Sequence, residues 1–127
     1  MSDKTIAQKL MIKEGRSVLF RNAPHGYKSA LGTLPKNVTV VKALTQPVDL
    51  IQLFVANRRE LEEQLPGLKA ALKPDGILWI TYHKGTSRIR TDINRDSINT
   101  YAQTIGLVGV AMISIDDDWS ALRLKVA

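Results

Sequence analysis

Val48-Asp-Leu-Ile-Gln-Leu-Phe-Val55 is followed by a helical stretch opening at Asn57-Arg-Arg-Glu60 and then by Ile77-Leu-Trp-Ile-Thr-Tyr82. The first run is apolar at nearly every position, the pattern of a central strand covered on both faces. In the middle segment Asn57 and Glu60 have capping-box spacing, and Leu61, Leu65, Leu68 and Leu72 fall on one helical stripe. Pro66-Gly67 is expected to kink or split that helix, because proline removes a donor and clashes with the preceding turn. Pro74-Asp-Gly76 is read as the turn into the second apolar strand. Strand, helix, strand with short connections is the unit of an α/β fold.

The same alternation extends in both directions. Upstream, a first helix is expected from about Lys4 to Met11, capped by Ser2 or Asp3, with Gly15 soon after its end. Strands follow at Ser17 to Arg21 and Val38 to Lys42, separated by a short helical turn within Gly26 to Leu34. Downstream, a helix from about Asn94 to Ile105 buries Ile98, Tyr101, Ala102 and Ile105, and Gly106 supplies its left-handed cap. Leu107 to Ile115 and Trp119 to Val126 then pair as an antiparallel hairpin around Asp116-Asp-Asp118. There is no internal repeat, linker or low-complexity segment, and residues 1–127 are expected to form one domain.

Composition narrows the chemistry. The absence of cysteine excludes a disulfide framework, a thiolate metal site and a cysteine nucleophile, and fits a reducing cytoplasm. His25 and His83 are too few for a histidine-built metal site, so no metal is expected. The apolar runs are strand-length, and Met1-Ser-Asp-Lys-Thr5 lacks the basic-then-apolar order of a signal peptide, so a cytoplasmic protein is expected. Net charge is +6, concentrated in the first third of the chain, where Lys4, Lys9, Lys13, Arg16, Arg21, Lys28, Lys36 and Lys42 face only Asp3 and Glu14. Such asymmetry serves either as a solvated face or as a phosphate or nucleic-acid surface.

The order of elements, with Lys13-Glu-Gly15 before the first strand, Leu72-Lys-Pro-Asp-Gly76 before the fourth and a terminal hairpin, resembles the class I S-adenosylmethionine-dependent methyltransferase fold. The segments Leu10-Met-Ile-Lys-Glu-Gly-Arg-Ser-Val-Leu19, Leu78-Trp-Ile-Thr-Tyr-His-Lys84, Thr91-Asp-Ile93, Gly106-Leu-Val108 and Asp118-Trp-Ser-Ala-Leu-Arg123 resemble a bacterial family of small uncharacterised proteins related to that fold. The resemblance implies a three-layer, Rossmann-like, mostly parallel six-stranded sheet of order 2-1-3-4-6-5, without the outer strand and helix of a full methyltransferase. It brings no catalytic residue.

In such sheets ligands bind beyond the carboxyl ends of the strands, where the order reverses between the first and third. That crevice would be lined by Asn22, Ala23, Pro24, His25, Gly26 and Tyr27 on one side and by Ala56 and Asn57 on the other. A methyltransferase carries there a turn of the Gly-x-Gly-x-Gly type, and after its second strand an acidic residue for the ribose. Here Ala23-Pro24 replaces the first and Val41-Lys-Ala-Leu-Thr45 offers no carboxylate for the second. The segment following the third strand also lacks the acidic-Pro-Pro-aromatic cluster used on amino groups. The site is thus expected to be degenerate and the protein to use no cofactor, S-adenosylmethionine included.

His25 has two readings, a general base or phosphate contact and a simple strand-ending turn. Lys84-Gly-Thr-Ser-Arg88 is not a Walker loop, but with Lys28 and Arg90 it supplies candidate anion contacts: Lys28, Lys84, Ser87, Arg88 and Arg90. Thr91-Asp92 is read as the entry to the following helix, His83 as an exposed loop residue or else a side chain facing the same crevice, and Trp79 as core. Trp119 is placed part in the core and part at an edge, where it could make a dimer contact. Together these features describe a non-catalytic binding or protein-interaction domain, with a protein partner or a second copy. The alternatives are a nucleotide or nucleic-acid module using Lys28, Lys36, Arg88 and Arg90, and an enzyme or atypical methyltransferase working around His25 and Asn57.

Overall fold

The computed structural model describes residues 4–43 and 45–127. In chain order the elements are α1 (Ile6–Lys9), β1 (Ser17–Arg21), α2 (Tyr27–Leu31), β2 (Thr39–Val41), β3 (Val48–Phe54), α3 (Arg58–Ala71), β4 (Leu72–His83), α4 (Arg95–Thr104), β5 (Leu107–Ser114) and β6 (Trp119–Val126). The strands form one six-stranded sheet of order β2-β1-β3-β4-β6-β5, as expected. Pairing is parallel from β2 to β4 and antiparallel on both sides of β6.

Alternation along each strand feeds two cores. One face of the sheet buries Leu19, Ile51, Leu53, Leu78 and Ile80 against Leu61, Leu65 and Leu68 of α3 and Ile98 and Ala102 of α4. The other buries Val18, Leu50, Phe54, Trp79 and Ala121 under Ala7, Leu10, Tyr27 and Leu31, the residues of two short helices and the chain around them. Tyr101 and Ile105, expected in the core, are only half-buried at its margin.

Several local expectations change. The expected caps Ser2 and Asp3 lie outside the described residues, and α1 is capped instead by Thr5, whose hydroxyl accepts from the Gln8 amide at 3.2 Å while the Gln8 side chain accepts from the Thr5 amide at 2.9 Å. This helix spans only Ile6–Lys9, and Met11 is left-handed at φ 66°, which stops it short of the expected end. The Trp79 indole donates to the Leu10 carbonyl at 2.9 Å and anchors the helix end on the sheet. The β2 strand ends at Val41 rather than Lys42.

Helix α3 is neither split nor interrupted at Pro66. Proline at that position deprives the Glu62 carbonyl of its i+4 donor. The Tyr101 hydroxyl of α4 donates to that carbonyl at 3.3 Å, so a tertiary contact replaces the missing bond. Leu72 belongs to β4 rather than to the helical stripe.

The expected turn at Pro74–Gly76 is an irregularity inside a continuous β4. Register passes from Val48↔Leu72 to Leu50↔Ile77, so Lys73-Pro-Asp-Gly76 stands opposite Asp49 alone. Asp49 clamps this bulge: its carboxylate accepts from the Ser17 amide at 2.9 Å and the Ser17 hydroxyl at 3.1 Å, and meets Lys73 Nζ at 3.1 Å and Arg16 at 3.4 Å. Desolvation by itself would raise the Asp49 pKa, but the Ser17 amide, Lys73 and the Ser17 hydroxyl outweigh it and hold the group at about 2. A Cβ on Gly76 would lie 2.7 Å from Leu72 Cδ1 and 3.0 Å from the Asp49 carbonyl, so a larger residue beneath the clamp requires Leu72 to move and the Asp49 backbone to give.

Candidate functional site

The carboxyl ends of β1 and β3 bring the two halves of the expected crevice to one end of the sheet. Asn22 leaves β1 in the left-handed region at φ 62°, a conformation asparagine tolerates better than most residues. Its side-chain amide donates to the Phe54 carbonyl at 3.3 Å, tying the end of β1 to the end of β3 across the switch point. Ala23, Pro24, His25 and Gly26 are exposed. The Pro24 carbonyl accepts from the Tyr27 amide at 3.1 Å, closing a turn, and Gly26 sits at φ 81° with open space where its Cβ would be. Glycine is thus needed there for its backbone angle, not for the close approach of a ligand.

Tyr27 points down from this turn instead of lining an open cleft. Its ring meets Phe54 edge-on at 4.7 Å and Phe20 at 6.0 Å. The hydroxyl donates to Gln52 Oε1 at 2.8 Å, and Gln52 Nε2 donates to Thr81 Oγ1 at 2.9 Å. Gln52 and Thr81 are fully buried, so a polar chain runs from the loop through β3 to β4 inside the core. Burial pushes the Tyr27 phenol far above its ordinary pKa, which keeps it a neutral donor.

Across the crevice, Ala56 and Asn57 are exposed, but their neighbourhood is already bonded. Asn57 caps α3 by accepting from the Glu60 amide at 2.9 Å. The return half of the expected capping box is displaced by one residue: Glu60 accepts from the Ala56 amide at 2.9 Å. Thr91 and Asp92, expected at the entry to α4, reach back to this turn. The Thr91 hydroxyl donates to the Ala56 carbonyl at 2.7 Å, and Asp92 accepts from the Arg58 amide at 2.8 Å. A carboxylate of the chain itself stands at the amino end of α3, where a bound anion would otherwise find amides.

The expected anion contacts separate. Lys84 donates to the Ser114 hydroxyl at 2.7 Å and Ser87 to Asp118 at 3.2 Å, both toward the β5–β6 hairpin. Lys28, Arg88 and Arg90 are exposed and, among the described residues, form no ion pair.

His83 is not an exposed loop residue. It is the last residue of β4, 7 % exposed, with its ring stacked 3.8 Å from Trp119, its partner across the β4–β6 ladder. Its Nδ1 is buried without a hydrogen-bond partner among the described residues. Trp119 accordingly lies inside the sheet, since β6 runs between β4 and β5, and it packs edge-on against Phe54 at 5.2 Å. The edge position expected for it belongs to β5. Strict alternation along Ile77-Leu-Trp-Ile-Thr-Tyr-His83 places His83 on the face of Trp79, a signal that could have assigned its burial.

Three features the resemblance implies for S-adenosylmethionine are altered here. The space under the β1 turn holds the Tyr27 ring, the described residues after β2 include no carboxylate, and the Ala56 and Arg58 amides after β3 are bonded within the chain.

No protein-family model matches the chain, and no curated protein matches it in sequence. Solved structures do match. A SAM-dependent methyltransferase from Aquifex aeolicus superposes with a TM-score of 0.65 at 14 % identity, over 96 % of this chain and 88 % of that one. A TehB-like SAM-dependent methyltransferase from Corynebacterium glutamicum gives 0.60 at 15 % identity, over 99 % and 89 %. DhpI in its complex with SAH gives 0.65 at 10 %, over 96 % and 82 %. The class defined by the sheet order and these superpositions is the Rossmann-like fold of the SAM-dependent methyltransferases. At these identities the likeness is one of fold.

Proposed function

We propose that this chain is a binding domain that keeps the methyltransferase frame without its adenosylmethionine pocket, acting in the cytoplasm through a protein partner or a second copy. The observation that carries this reading is that four polar groups at the crevice are already bonded within the chain. Asn22 is spent on Phe54, the Ala56 amide on Glu60, the Arg58 amide on Asp92 and the Tyr27 hydroxyl on Gln52. A ligand there would have to break bonds the protein makes with itself, each of which costs a desolvated group if left unpaired. No helix among the described residues is long and apolar enough to cross a bilayer.

Titration calorimetry with S-adenosylmethionine and S-adenosylhomocysteine, paired with thermal shift, tests this. We expect neither heat nor a change in melting temperature at millimolar ligand. Saturable binding would overturn the reading and favour an S-adenosylmethionine-dependent methyltransferase with an atypical motif. A second reading, a basic-surface nucleotide or nucleic-acid module, is favoured by the exposed cations Lys28, Lys36, Arg88 and Arg90. Its mark would be oligonucleotide affinity that falls steeply with salt as counterions are released.

A further inference from the structure

Away from the crevice, a groove of about 500 Å³ opens between the end of β4 and the amino end of α4. Its wall groups are rich in donors and poor in acceptors. Helix α4 is ten residues long; its cap Asn94 accepts from the Ser97 amide and, through its carbonyl, from the Ile98 amide. The main-chain N–H groups of Arg95 and Asp96 belong to the first turn, where a helix has no acceptor of its own to offer, and no acceptor meets them among the described residues.

An independent feature points the same way. Ser120 of β6, 7 % exposed, lines this groove, and its hydroxyl makes no hydrogen bond among the described residues. Beside it the Tyr82 hydroxyl meets only the Met112 sulfur among the described residues, at 3.6 Å, a weak acceptor. Burial raises the Tyr82 pKa, so the phenol keeps its proton to donate. Lys84 enters from the loop after β4, and its ammonium is answered only by the neutral Ser114 hydroxyl among the described residues. The wall also carries one carboxylate, Asp96, whose side chain is 85 % exposed and is paired at 3.5 Å with the neighbouring Arg95 guanidinium, a cation of the same wall.

We propose that this groove binds the phosphate group of a small phosphorylated molecule, held by Lys84, the Ser120 and Thr86 hydroxyls and the first amides of α4. A tetrahedral oxyanion supplies several acceptors at once, which is what the unbonded donors lack, and the helix dipole favours its charge. Met112, 41 % exposed, gives the organic part of such a ligand an apolar surface. None of these groups belongs to the β1–β3 crevice, so the site stands or falls independently of adenosylmethionine binding.

Amide NMR shifts of the whole chain, titrated with inorganic phosphate against sodium chloride at matched ionic strength, test the site. We expect phosphate-specific shifts at Gly85, Thr86, Arg95, Asp96 and Ser120 that saturate below about 10 mM, a weak but ordered site. Lys84→Ala should move that curve at least about tenfold to higher phosphate. Lys125→Ala, which removes an equal charge from β6 outside the groove lining, should leave it in place. Ser120→Ala should also weaken binding, and because it alters a buried position, Thr86→Ala serves as the exposed counterpart. Shifts scattered over the basic surface, no saturation by about 10 mM, or equal effects of Lys84→Ala and Lys125→Ala would overturn the proposal.

Discussion

Replacing Tyr27 by Phe removes one oxygen from the core and leaves the aromatic packing against Phe20 and Phe54 in place. What it strands is Gln52 Oε1, which lies in a fully buried side chain and has the Tyr27 hydroxyl as its partner at 2.8 Å. An unsatisfied buried acceptor costs about 1–3 kcal/mol, more than the net worth of the hydrogen bond itself. For a domain of this size that corresponds to a fall of roughly 4–12 °C in melting temperature. Thr81→Val should do similar damage from the other end by orphaning Gln52 Nε2, now 2.9 Å from the threonine hydroxyl. Because both effects pass through one side chain, the triple variant Tyr27→Phe, Gln52→Met, Thr81→Val should be more stable than the double variant that retains Gln52. Replacing a whole polar network by apolar groups of like shape removes the desolvation penalty. Urea unfolding followed by circular dichroism gives each free energy, and the thermodynamic cycle gives the coupling. A Tyr27→Phe variant within about 0.3 kcal/mol of the parent, or a triple variant weaker than the double, would refute the claim that this chain of bonds holds Tyr27 in the crevice.

Two further outcomes concern the Asp49 clamp and the contact between α3 and α4. Asp49 is held at about 2, below its unfolded value of about 3.9, so its contribution is complete above about pH 4 and fades as pH falls through about 2. Asp49→Asn should therefore be less stable than the parent at about pH 7, and the gap measured by urea midpoints should narrow between about pH 4 and about pH 2; a constant gap would show that the charge is not responsible. Tyr101→Phe should cost about 0.5–1.5 kcal/mol, by leaving the Glu62 carbonyl without the donor that stands in for the one Pro66 lacks. In a Pro66→Ala background that cost should vanish, since an alanine at this position restores the i+4 amide, and equal losses in both backgrounds would sink this account.

The frame of the protein was legible because it is written locally. The apolar run at Val48–Phe54, the cap at Asn57, the leucine stripe of α3, and the short acidic link between β5 and β6 each signal one element through its own period. Topology then followed from the α/β alternation and the family resemblance, down to the antiparallel β6 between β4 and β5. The loops after β1 and β3 meet at one end of the sheet for the same reason, because loops that follow parallel strands share that end.

What the sequence by itself determined, then, was which residues become strands and helices and which loops meet. Whether those loops leave room for a ligand was decided only by tertiary contacts between residues far apart in the chain. Gln52 reads as one polar interruption of a strand, and nothing nearby tells that Tyr27 and Thr81 will answer it. Thr91 and Asp92 read as the start of a helix, and they close the β3–α3 turn 34 and 35 residues away. Pro66 reads as a break until Tyr101 supplies the missing donor from another helix. In each case the local pattern fixes a backbone group or polar atom that needs a partner, and the partner comes from the packing of distant segments, which is where a binding site is opened or filled.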